Sequence, residues 1–108
     1  MNARNIGEAT AGFEVLQTTN RTQIAMMTLK PGRSSGSHQE GHKNSDQVLV
    51  VLEGEVEGEI ADDTIILRKG DVIVIPAGTK HKFTNRAPVE AVTFNTYSPP
   101  EYDPSEKN

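Results

Sequence analysis

Residues 70–85 read GDVIVIPAGTKHKFTN. Val72, Ile73, Val74 and Ile75 are a continuous β-branched run, the composition of a strand buried on both faces. Pro76 ends that strand because it has no backbone N–H to give to a ladder. Gly78 admits positive φ in the turn that follows. The chain restarts at Lys80, and a strand over Lys80–Thr84 sets His81 and Phe83 on one face.

Working outward, the same kind of punctuation repeats. Upstream, Ala61-Asp62-Asp63-Thr64 has hairpin composition, and Glu55, Glu57 and Glu59 alternate with Val56, Gly58 and Ile60. That acidic row reads as a solvated strand face rather than a cation site. Before Gly54, Gln47–Leu52 is apolar on both sides, with Val48, Val50 and Leu52 on one face and Leu49, Val51 and Gln47 on the other. A doubly apolar strand needs cover from a second sheet or a second subunit, which predicts a homodimer. Residues 33–46, RSSGSHQEGHKNSD, have loop composition yet hold two of the three histidines. Gln23–Leu29 is a further strand, Phe13–Val15 a short edge strand, and residues 1–12 a loose lead-in. Downstream, Val89–Thr96 carries a last strand with Val92 and Phe94. Eight or nine short strands with no convincing helix predict an all-β sandwich or barrel over residues 1–98, with 99–108 as an extended tail.

The 108 residues suffice for one domain. No apolar run approaches the roughly 20 residues of a transmembrane helix. The N-terminal residues lack the apolar core of a secretory signal. The chain has no cysteine, which removes disulfides and thiol catalysis and fits a cytoplasmic location. The net charge is −4 with no basic run, so neither nucleic acid nor a membrane surface is expected as a partner.

The spacing Gly70-x5-Pro76-x-Gly78-x2-His81-x3-Asn85 resembles the second motif of the cupin superfamily at every defined position. Gln47-x6-Gly54 resembles the end of the first motif, with glutamine where the family usually has glutamate. The resemblance covers roughly Thr22 to Tyr97 and implies a double-stranded β-helix, a jelly-roll-like barrel. It also implies a site. His81 falls at a metal-ligand position, and His42, five residues before Gln47, suits the second histidine of the first motif. Glu40 then stands where the first histidine is usual. Another register, Gly32-x5-His38, brings in His38 instead and leaves two extra residues before Gln47. In an extended strand, residues 40 and 42 lie roughly 6.6 Å apart and can share an ion, whereas 38 and 42 lie roughly 13 Å apart.

The implied set is therefore Glu40, His42, Gln47 and His81, with His38 as the alternative. Two imidazoles, a carboxylate and an amide oxygen accommodate a divalent ion such as iron, manganese, nickel or zinc. No nucleophile elbow or phosphate loop accompanies them, so any chemistry would come through the metal. Three readings remain open: a small metal-dependent enzyme, dioxygenase- or isomerase-like, acting on a small organic molecule; a non-catalytic small-molecule-binding or sensing module; and a barrel without metal.

Overall fold

The computed structural model describes residues 2–36 and 41–108. Eight strands succeed one another: β1 (Phe13–Thr18), β2 (Gln23–Leu29), β3 (Asp46–Glu53), β4 (Glu55–Ile60), β5 (Asp63–Arg68), β6 (Val72–Ile75), β7 (His81–Thr84) and β8 (Ala91–Ser98). The one helical element among the described residues is a 3-10 turn, Ile6–Glu8, capped by the Asn5 side chain. All pairings between strands are antiparallel. A five-stranded sheet runs β1-β2-β8-β3-β6, and a three-stranded sheet runs β5-β4-β7. The two face each other as a double-stranded β-helix, the jelly-roll barrel that the strand count implies.

The period-two alternation of the strands decides what lies between the sheets. Met27, Leu29, Leu49, Val51, Val56, Leu67, Ile75, Phe83 and Ala91 form the main apolar core. Phe83 is 1% exposed, and truncating such an aromatic typically costs about 3–5 kcal/mol. A smaller cluster of Val15, Ala25 and Tyr97, with Phe13 and Tyr102 packed against it, adjoins the functional residues.

The chain passes from one sheet to the other four times, after β3, β5, β6 and β7. Between β3 and β4 the passage is made by Gly54, at φ +75°, where an added Cβ would lie 2.6 Å from the Glu90 carbonyl oxygen. Between β6 and β7 it is made by the Pro76–Gly78 turn. Asn85, wholly buried, closes the far end: its Nδ2 donates to the Leu29 and Val89 carbonyls and its Oδ1 accepts from Ala87 N–H.

β6 departs from the sequence reading. Val72 and Val74 are 62% and 60% exposed, while Ile75 is buried. The smaller sheet packs only on the inner side of the larger one, so the outer face of β6 has no second layer over it, and as the edge strand β6 has a neighbour on one side only. The outward residues of β3, Val48, Val50 and Leu52, are likewise only half-buried. The acidic row of β4 is half-buried and paired on its outer side: Glu57 with Arg86 at 2.7 Å and Glu59 with Lys82 at 3.6 Å.

The ends of the chain lie against β1. Arg4 donates to the Leu16 carbonyl at 2.8 Å. Phe13 and Asn108 exchange two backbone hydrogen bonds, 2.8 and 2.7 Å long, and Val15 N–H donates to Glu106 O. The buried Gln23 side chain holds the intervening turn, accepting from Glu101 and Tyr102 N–H and donating to the Tyr102 carbonyl.

Candidate functional site

Two motifs distant in sequence meet because one turn binds the other's loop. Gly78 N–H donates to the His42 carbonyl at 2.7 Å, and Ala77 N–H donates to Asp46 Oδ1 at 2.9 Å. A Cβ on Gly41 would come within 3.1 Å of the Gly78 carbonyl oxygen, so the two backbones approach as closely as glycine allows. This docking brings the rings of His42 and His81 to 4.9 Å between centroids, at 53°.

Each imidazole is oriented through Nδ1. His81 Nδ1 donates to the Thr79 carbonyl at 2.9 Å, a partner that can only accept. In the neutral ring this puts the lone pair on Nε2. His42 Nδ1 lies 3.7 Å from the Glu101 carboxylate, which favours the proton on that nitrogen too. A histidine held by a carbonyl or carboxylate behind it is the usual disposition of a ligand histidine.

The two rings open on a cavity of about 70 Å³. Its lining includes Gln47 from β3, Tyr97 from β8, Phe83 beside His81, and Ser35 and Gly36 from the loop after β2. Ser35 is fixed to β7: its N–H donates to Phe83 O and its Oγ accepts from Phe83 N–H. Tyr102 completes the wall, its ring 5.0 Å from that of Tyr97 and 5.8 Å from that of His42. Burial, and after it the neighbouring Tyr102 and Glu101, hold the Tyr97 hydroxyl well above the ordinary tyrosine range. Tyr97 is therefore a neutral hydroxyl at physiological pH. At roughly 30 Å³ per water, the volume suits an ion with its remaining solvent, or one small polar group.

Gln47 is 3% exposed. Its Nε2 donates to Asn95 Oδ1 at 3.0 Å, and its Oε1 is buried with no hydrogen-bond partner among the described residues. An orphaned buried acceptor carries a desolvation penalty that an occupant supplying a cation or a proton would relieve.

The structure thus brings His42, His81 and Gln47 to one cavity. Glu40 and His38, between which the sequence leaves two registers open, lie outside the described residues. Among the described residues no group of three or more His, Cys, Asp or Glu side chains is placed to hold a metal. Two imidazoles and one amide oxygen nevertheless fit a divalent cation as a partial donor set.

The sequence reading did not reach Tyr97, Tyr102, Glu101 or Asn95. For Tyr97 and Asn95 a signal existed, the alternation Ala91, Thr93, Asn95, Tyr97 on one face of β8. Tyr102 and Glu101 come from a proline-rich segment that carries no such periodicity.

Residues 25–97 match the family described as the cupin domain. An uncharacterised protein of Acanthamoeba polyphaga mimivirus is 32% identical over 96 residues, covering 85% of this chain and 59% of that protein. The auxin-binding protein ABP19b of Prunus persica is 33% identical over 82 residues, covering 71% of this chain and 38% of that protein. The chain thus spans 59% and 38% of the length of these two curated relatives. A crystal structure from Bacillus halodurans superposes with a TM-score of 0.85 at 25% identity, covering 91% of this chain and 77% of that one. Among the described residues no helix is long and apolar enough to cross a membrane.

Proposed function

Since the chain belongs to the cupin domain family, we propose that it binds a compact small molecule at a divalent cation held by His42, His81 and Gln47. The observation that carries this reading is the buried Gln47 Oε1, unpartnered among the described residues, at a cavity whose two imidazoles both engage Nδ1 elsewhere. A bound divalent ion would supply Lewis acidity or, as iron(II), oxygen activation. The protein's own part is orientation: the Thr79 carbonyl and Glu101 fix the imidazoles, Asn95 fixes the amide, and Tyr97 offers a neutral hydroxyl to a substrate. A relative named as an auxin-binding protein supports a small organic ligand, and the 70 Å³ cavity supports engagement of only part of one.

The second reading is a binding or sensing module without metal. It is favoured by the lack, among the described residues, of a group of three or more His, Cys, Asp or Glu side chains placed to hold a metal. Metal analysis of untagged protein, with titration of iron, manganese, nickel and zinc, separates the two. On the metal reading a chelator lowers the melting temperature, by mass action on the native state. His81→Ala abolishes that sensitivity, and Glu40→Ala weakens it while His38→Ala leaves most of it. Loss with His38→Ala and none with Glu40→Ala selects the other register. Failure of all four metals to bind ends the metal reading.

A further inference from the structure

Behind the cavity three side chains form a relay whose direction is set at its far end. The Met27 carbonyl can only accept, so the Thr93 hydroxyl 2.9 Å from it commits its one proton there. Toward Asn95 that oxygen is then purely an acceptor, and the atom 3.0 Å away is the amide nitrogen Nδ2. Asn95 Oδ1 consequently faces Gln47, and only the Gln47 amide nitrogen satisfies it, at 3.0 Å. The one atom left over is Gln47 Oε1, buried and unpartnered among the described residues, on a side chain that lines the cavity. Thr93 and Asn95 are both wholly buried, so solvent cannot serve the relay in reverse.

We propose that Thr93 and Asn95 are positioning residues that lock the Gln47 amide with its carbonyl oxygen toward the cavity, and so fix the polarity the occupant must have. At that point the occupant presents a cation, an ammonium or another N–H or O–H donor. A carboxylate, phosphate or carbonyl oxygen is rejected there, because acceptor would meet acceptor. The choice of a metal cation as occupant rests on the function proposed above, whereas the polarity does not.

Two measurements on metal-free, isotope-labelled protein and on its zinc complex test this. The first is hydrogen exchange of the Gln47 and Asn95 side-chain amide groups by NMR, and the second is calorimetric titration with Zn²⁺ alone. Both amides are expected to exchange slowly in the wild type. Thr93→Val, which keeps shape but removes the hydroxyl, should speed both at least tenfold and weaken zinc binding about fivefold or more. Thr93→Ser should restore both properties, an outcome that loss of packing alone does not produce. If Thr93→Val does not fold, Gln47→Met decides: the Asn95 amide stays protected by Thr93 while zinc affinity falls at least tenfold. The proposal is overturned if the wild-type amides exchange as fast as exposed ones, or if Thr93→Val matches the wild type. Protected amides in a wild type that binds no zinc defeat the metal reading alone, and the exchange rates of the variants still decide the relay.

Discussion

Glutamine and glutamate at position 47 differ by one pair of N–H bonds, and the buried relay makes that difference large. A carboxylate there would set a charged oxygen against Asn95 Oδ1, 3.0 Å from the present Gln47 nitrogen. To accommodate it Asn95 must turn over, and Thr93 must then release the Met27 carbonyl. Gln47→Glu is therefore expected to destabilise the metal-free protein by about 1–3 kcal/mol, the cost of a newly unsatisfied buried polar group. Added zinc should more than reverse the loss, because a cation gains a charged ligand. Urea unfolding with and without zinc checks the opposed signs, and equal loss in both conditions counts against the account. His81 and Gln47 could be picked out from spacing, since motif intervals survive in the linear chain. Asn95 and Thr93 were legible only in part, because the alternation on β8 tells that they share a face with Tyr97 but not which face is inside. On β8 the apolar Val92 and Phe94 are only half-buried, and the polar Thr93 and Asn95 are wholly buried.

At the scale of elements, strand existence was legible and strand environment was not. The β-branched run and the proline stop located β6, but composition alone could not make it an edge. That depends on sheet order, a long-range property. The turns were legible where glycine marks them, and one turn violates its own preference. Ala61, between β4 and β5, sits at φ +54°, a region that costs an L-residue roughly 1–2 kcal/mol. Gly54, at the corner between β3 and β4, has positive φ and a carbonyl oxygen where a Cβ would go. Two single substitutions should therefore move stability in opposite directions. Gly54→Ala is expected to lower it by about 1–3 kcal/mol, from backbone strain and overlap with Glu90. Ala61→Gly should raise it by up to about 1 kcal/mol, strain relief being partly offset by the freer unfolded chain. Thermal melts of the two variants beside the wild type give the answer, and shifts of the same sign would contradict it.

For the whole molecule, the doubly apolar strands leave a surface that one barrel does not cover. By register, Phe94, Val50 and Val72 lie side by side across the outer face of the larger sheet, with Ile24, Thr96, Val48 and Val74 in the next row; Met26, which ends the first row, is itself buried. A second copy laid on this face would cover Val72 and Val74, so the chain is expected to be a dimer in solution. Light scattering should give twice the chain mass at micromolar concentration, and a combined Val72→Lys, Val74→Lys variant should give the monomer mass with little loss of secondary structure. A wild-type monomer throughout that range would rule the arrangement out. Gln47 belongs to the larger sheet and His81 to the smaller one, yet both line the same cavity. Whatever is gripped by both side chains is a rivet between two plates. Its effect would fall on the lifetime of the native state, since the plates cannot part before the rivet is drawn. Each hairpin would still zip up at its own pace, and the rivet would hold the barrel shut longest where its two plates are joined through that one seam.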